Sequence, residues 1–204
     1  MLNSVVKIYF TAFINFNIIG MLNLKEKIIQ ETKPLQLKLG IKNSLALPRL
    51  KAVVVNVGLG RAVTSNAKPE DVIKKVSEEI TTITGQKPVA TVAKKAIASF
   101  KTREGMAIGV KTTLHGKKMY DFLERFIRIA LPRTRDFRGL KISSVDDGGN
   151  LNIGIKDHTI FPEAVADAAH SFSFEFTAVV TGSNKKNSLE FFRILGFPFE
   201  KKNK

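Results

Sequence analysis

Lys51-Ala52-Val53-Val54-Val55-Asn56-Val57-Gly58-Leu59-Gly60 is the stretch on which the fold turns. β-Branched side chains are stiff at χ1 and pack well on a pleated surface, so residues 51–57 are predicted to form a strand. Gly58-Leu59-Gly60 closes it as a turn. A glycine pair after a strand also opens dinucleotide-binding loops. Here, however, Val63 stands where the third glycine of G-x-G-x-x-G belongs, and the next helix start is expected only at Pro69, so we read a turn.

Outward from this strand the pattern is that of an α+β domain. Upstream, Leu24, Ile28, Leu35 and Leu39 recur at helical spacing and Gly40 ends the run, which predicts a helix over about 24–39. Downstream, Pro69-Glu70-Asp71 is a helix start with proline first and acids in the first turn. Val72, Val76, Ile80 and Ile83 share one face of that helix, and Gly85 caps it.

Strands are expected at 89–92 and 107–114, the latter alternating Ile108, Val110, Thr112 and Leu114 with its other face, and antiparallel pairing is expected. Met119, Phe122, Leu123, Phe126, Ile127 and Ala130 predict a helix over about 117–131, stopped by Pro132 and packed on the sheet. Two strands, 140–145 and 151–156, are expected around Asp146-Asp147-Gly148-Gly149-Asn150, whose Gly and Asx residues suit a hairpin loop. A strand over 172–180 and a last helix over about 187–195, ending at Gly196, complete the chain. No repeat or low-complexity linker divides it, so residues 21–204 read as one domain.

Residues 1–20, MLNSVVKIYFTAFINFNIIG, are apolar and carry Lys7 as their one charge. Asn15 and Asn17 interrupt the run, which falls short of the ~20 apolar residues needed to span a bilayer, and no A-x-A-like cleavage site follows. The segment is rich in residues with AT-rich codons and Met21 follows directly, so a start assigned too early is the favoured expectation and an amphiphilic extension the alternative.

Lysine and arginine number 33 against 18 acids, a formal net charge of +15 over 204 residues. Such an excess is best tolerated against a polyanion, and nucleic acid is the commonest. There is no cysteine, which excludes disulfides, thiolate metal sites and a cysteine nucleophile. His115, His158 and His170 lie apart in sequence, so neither metal nor cofactor is expected. No phosphate-binding G-x-x-x-x-G-K-[ST] loop and no acid/base or nucleophile constellation is present, and nothing argues for catalysis.

The charge is clustered. Between Gly85 and Lys118 stand Lys87, Lys94, Lys95, Lys101, Arg103, Lys111, Lys117 and Lys118, opposed by Glu104 alone, so a phosphate-facing surface is expected there. Gly85, Ala96, Ala98, Gly105 and Gly109 would let that backbone approach a phosphodiester chain closely. Phe100 among them can stack on a base or simply pack, and packing is the more ordinary outcome. A second cluster, Arg133, Arg135 and Arg138 around Asp136-Phe137, places three guanidinium forks in a loop expected just after a helix, suited to bidentate phosphate contacts.

These residues also carry a resemblance. Leu47-Pro48-Arg49-Leu50, Val55-Asn56-Val57-Gly58-Leu59-Gly60, Ile83-Thr84-Gly85-Gln86-Lys87-Pro88, Ala93-Lys94-Lys95-Ala96, Arg103-Glu104-Gly105-Met106-Ala107-Ile108-Gly109, Leu131-Pro132-Arg133-Thr134-Arg135-Asp136-Phe137-Arg138-Gly139, Ile160-Phe161-Pro162-Glu163 and Gly196-Phe197-Pro198-Phe199 resemble, in order and spacing, the signatures of the bacterial large-subunit ribosomal protein five family. The likeness covers about residues 21–200 and departs from the family at Ser99, usually glycine or asparagine, and Ala107, usually proline.

The resemblance implies a single α+β domain with a mainly antiparallel sheet covered by helices on one face. It implies a structural, non-enzymatic part that attaches 5S ribosomal RNA to the central protuberance. Asn56, Gln86, Lys87, Lys111 and Thr113 match the sheet positions that meet 5S RNA; the arginine cluster read above, Arg133, Arg135 and Arg138, is expected to add further ribosomal RNA contacts. A basic loop at about 94–103, with Lys94, Lys95, Lys101 and Arg103, matches the one that approaches tRNA in the peptidyl site. Implied partners beyond these are 23S ribosomal RNA, small-subunit protein thirteen across the subunit bridge and other central-protuberance proteins, in the cytoplasm and with no membrane role.

Overall fold

The valine-rich stretch is the middle strand of a sheet. In the computed structural model, which describes residues 24–65, 69–135, 137–164, 171–181 and 184–200, β1 (Arg49–Gly58) lies at the centre of the order β2-β3-β1-β5-β4. The other strands are β2 (Val89–Val92), β3 (Ala107–Leu114), β4 (Leu151–Ile155) and β5 (Phe174–Thr181), and every pairing is antiparallel. Residues 1–20 and 165–170 lie outside the described residues.

Strand periodicity sorts the sheet into two faces. Val53, Val55 and Val57 of β1, Val110, Thr112 and Leu114 of β3, and Phe174, Phe176 and Ala178 of β5 are all buried beneath helices. The helices are α1 (Leu24–Leu39), α2 (Gly60–Ser65), α3 (Pro69–Thr84), α4 (Gly116–Arg125), α5 (Leu131–Arg133) and α6 (Lys185–Leu195). At the centre Phe126 stacks on Phe176 with ring centroids 4.4 Å apart and an interplanar angle of 16°. Phe122 lies 5.7 Å from Phe161 and 6.2 Å from Phe176, so one aromatic stack joins helix, loop and sheet.

Four expectations need correction. A short helix opens at Gly60, well before Pro69, because Leu59 N–H continues the sheet ladder to Ile108 O (2.8 Å), Val63 N–H bonds Leu59 O (2.9 Å), and Val63 is buried. Residues 140–145 are not a strand: Leu140 bridges Phe199 in parallel, Ile142–Ser144 is a 3-10 turn, and Val145 bridges Leu151. The loop after them is a turn as expected, with Asn150 N–H on Asp146 Oδ1 at 2.7 Å and Gly149 at φ 84°.

The third correction is at Pro132, which does not stop its helix. A π-turn over Phe126–Ala130 follows α4, with Leu131 N–H bonded to Phe126 O, and helix resumes through Arg133. A wider turn gives the proline ring room against the preceding carbonyls, which an ordinary helix interior denies it. The fourth follows from it: Arg133 stands in the last helical turn, and only Arg135 and Arg138 lie beyond.

The end of α3 is held from two sides. Arg125 Nη2 donates to Ile83 O (2.9 Å) and Lys118 Nζ to Gly85 O (2.9 Å), cations meeting the carbonyl end of a helix. Lys118, counted above in the basic cluster, is therefore engaged in the fold. His158 is buried, stacked on Phe172 at 4.1 Å, with Nε2 2.9 Å from Glu79 Oε2.

Candidate nucleic-acid interface

The face of the sheet away from the helices is polar. The register sets Val89, Lys111, Asn56, Glu175 and Gly154 side by side across all five strands. The next row places Thr113, Val54, Thr177 and Asn152 abreast, and Thr177 Oγ1 donates to Asn152 Oδ1 at 2.8 Å. Three of the expected residues, Asn56, Lys111 and Thr113, thus share one surface.

Gln86 joins them through the turn after α3. Gly85 takes φ 69°, Thr84 Oγ1 donates to Gln86 O (3.0 Å), and Gln86 Nε2 reaches across to Thr113 O (3.0 Å). Lys87, next in the chain, is exposed, as is Lys111. The row runs from the Lys111 cation through the neutral Asn56 amide to the exposed Glu175 carboxylate, so attraction for phosphate is strongest towards β2 and β3.

Gly109 serves the sheet and not a ligand. A Cβ built on it would lie 2.5 Å from Val57 O and 2.9 Å from Thr91 Oγ1, so its missing side chain lets the strands close up.

The basic loop is a hairpin that prolongs β2 and β3. Ala93 N–H bonds Met106 O (2.8 Å), and Ile97 and Thr102 exchange both backbone bonds at 3.1 and 3.2 Å. A 3-10 turn over Ala98–Phe100 forms the tip, followed by Lys101 at φ 52°. A left-handed residue other than glycine stores strain of roughly 1 kcal/mol, a feature that clusters at functional sites. Lys94, Lys95, Lys101 and Arg103 are all exposed on this hairpin. Phe100, expected to pack, is instead 69% exposed.

Arg133, Arg135 and Arg138 are exposed but belong to the helical layer and the segment leaving it, so the structure does not bring them to the open sheet face. That segment is anchored by Leu140 N–H on Pro198 O (2.7 Å) and Glu200 N–H on Leu140 O (3.0 Å). Nearby, Arg125 Nη1 lies 2.7 Å from Glu163 Oε1. Burial would raise the Glu163 carboxyl, but the Arg125 hydrogen bond and charge hold it below the usual range.

The sequence alone did not single out Thr177, Asn152 or Glu175 as part of this surface. Alternation placed Thr177 opposite Phe176, but only the strand order brings it beside Val54 and Asn152.

Comparison with known proteins agrees with this architecture. Residues 43–103 match the family model for ribosomal protein L5, and residues 107–199 match the model for the C-terminus of the same ribosomal family. The large ribosomal subunit protein uL5 of Alkaliphilus metalliredigens is 43% identical over 183 residues, covering 89% of this chain and 100% of the relative. That of Heliobacterium modesticaldum is 45% identical over 181 residues, covering 88% and 98%. These relatives are structural parts of the ribosome and not enzymes. With both family models and relatives of this similarity spanning most of its length, the chain belongs to the ribosomal protein L5 family, as a structural constituent of the large ribosomal subunit.

Proposed function

We propose that the open sheet face is the surface by which this chain binds 5S ribosomal RNA and fastens it to the central protuberance. The observation that carries the proposal is the pair of rows that bring Asn56, Lys111, Thr113, Thr177 and Asn152 onto one face, backed on the other side by a closed aromatic core. A flat, rigid surface of amides, hydroxyls and a flanking lysine can bond ribose and base edges in a fixed geometry, and shape with 2′-hydroxyl contacts dominates the recognition of double-stranded RNA. Within it Asn56 and Gln86 supply direction, while Lys87 and Lys111 supply charge.

Arg133, Arg135 and Arg138 form a separate phosphate-gripping group, directed to the same RNA or to 23S ribosomal RNA. The hairpin with Lys94, Lys95, Lys101 and Arg103 extends beyond the sheet and approaches peptidyl-site tRNA. Small-subunit protein thirteen and other central-protuberance proteins complete the partners, in the cytoplasm, without residues assigned to them.

The test is binding of 5S RNA by filter retention across a salt series. Neutralising about six phosphates gives a log–log slope of about −4 to −5. Gln86→Ala, which removes an amide already fixed on Thr113 O, lowers affinity by about 1 to 2 kcal/mol if the RNA contacts it directly. A flat salt dependence, or unchanged affinity for Gln86→Ala and Asn56→Ala together, would refute the interface.

A further inference from the structure

On the helix side of the sheet, opposite the face of Asn56 and Lys111, the hairpin and α2 border a concavity. Its lining includes Ile97 (47% exposed) and Phe100 (69% exposed) of the hairpin, Thr64 of α2, Ile108 of β3, and Gly58 and Gly60. Its volume is about 710 Å³. Pockets that take small organic ligands span roughly 300 to 1,000 Å³.

Two observations point to an occupant. A Cβ at Gly58 or Gly60 would meet no protein atom within 4 Å, and neither residue has a positive φ, so the fold does not require glycine at either position. What their bareness provides is open space within the slot. The lining also includes three cations, Arg61, Lys94 and Lys95, while the one acid between Ala93 and Met106 is Glu104. An apolar slot with an exposed aromatic wall and a cationic border is complementary to a planar base carried on a polyanionic backbone.

From this geometry we infer that the slot lined by Phe100, Gly58 and Gly60 captures one unstacked nucleobase of an RNA loop, with Arg61, Lys94 and Lys95 on its flanking phosphates. The inference rests on the reading of the hairpin as an RNA-facing element and adds its ligand chemistry. The base can come from a tRNA or from a ribosomal RNA loop. The chemistry is the same, and the experiment separates the sources.

The full chain is titrated with a short single-stranded oligoribonucleotide carrying one fluorescent purine analogue, and with the same strand made abasic at that position. The base-bearing strand should bind about tenfold more tightly, equivalent to about 1.4 kcal/mol. Phe100→Ala, and independently Gly60→Leu, which fills the slot, should abolish that difference and leave abasic affinity unchanged, whereas Phe100→Tyr should retain it.

Deacylated tRNA and 5S RNA serve as competitors. The source is whichever displaces the base-bearing strand from the unsubstituted chain and loses affinity on Phe100→Ala. Equal binding of the two strands by the unsubstituted chain would overturn the inference, as would a difference surviving both substitutions. So would concentration-dependent self-association removed by Phe100→Ala, which would give the slot to a second copy of the chain. Normal 5S binding alongside indistinguishable strands sinks the slot alone, whereas absent 5S binding sinks the interface itself.

Discussion

Replacing Gly109 by alanine probes the closeness of β1 and β3, on which the alignment of Asn56 with Lys111 depends. The new methyl would sit 2.5 Å from Val57 O and 2.9 Å from Thr91 Oγ1. The first is about 1 Å inside ordinary contact, and its partner is backbone, which cannot swing away. Overpacking of this kind costs about 1 to 3 kcal/mol, while the loss of unfolded-state freedom returns about 0.4 to 1. The middle of these ranges is a net destabilisation of about 1.3 kcal/mol, which at a urea dependence of about 2 kcal/mol per molar lowers the midpoint by about 0.7 M.

The chain has no tryptophan, so far-ultraviolet circular dichroism is the appropriate signal. Gly154→Ala is the matched control: it is exposed on the same face, and a Cβ there meets nothing within 4 Å. It should be neutral or stabilising by a few tenths of a kcal/mol, to about 1 at most. An unchanged or raised midpoint for Gly109→Ala, or equal losses at both positions, would show that strand closeness is not what the glycine secures.

The remaining expectations are simpler. Replacing Lys94, Lys95 and Lys101 together should leave isolated 5S binding nearly intact and weaken retention of peptidyl-site tRNA on assembled ribosomes; a large 5S loss with normal tRNA retention would reverse the assignment. A chain shortened to begin at Met21 should unfold cooperatively and bind 5S RNA like the full chain, and loss of its cooperative thermal transition would place residues 1–20 in the core. Because Glu163 has its carboxyl lowered in the folded state, the Arg125 pair contributes stability above the unfolded glutamate range that is lost as pH falls through the folded value. Glu163→Gln should therefore flatten the acid limb of a stability profile, and an unchanged slope would count against the pair.

Where local pattern and tertiary packing agreed, residue order was enough to read the fold. The alternation of Phe172, Phe174 and Phe176, the capping at Gly85 and Gly196, and the α3 face of Val76, Ile80 and Ile83 all appear in the structure as the periodicity requires. The misreadings fall where a distant partner decides. Leu140–Val145 has the composition of a strand, but the backbone partners of Leu140 belong to the Pro198–Glu200 segment, some sixty residues away in the chain, and Ile142–Ser144 closes on itself as a 3-10 turn. Gly60 reads as a breaker, yet burial of Val63 carries it into a helix.

The candidate site divides in the same manner. Asn56, Lys111 and Thr113 were visible as polar residues in strands, but their assembly with Thr177 and Asn152 depends on β5 lying between β1 and β4, which no local signal encodes. Phe100 was misjudged because an aromatic residue is usually covered, whereas the hairpin tip offers nothing to cover it.

The phenylalanine stack beneath the sheet has a thermodynamic corollary. Phe122, Phe126, Phe161 and Phe176 are each no more than 1% exposed and brace the strands against helix and loop, so the polar face above them is already in its final shape before any partner arrives. A preorganised plate needs little ordering on association. In calorimetry its heat-capacity change should therefore track the area covered, without the added increment of coupled folding. The strained hairpin beside it, held by few long-range bonds, is the part from which an ordering contribution would come. One small domain thus presents two kinds of surface, a braced plate and a hairpin that carries backbone strain.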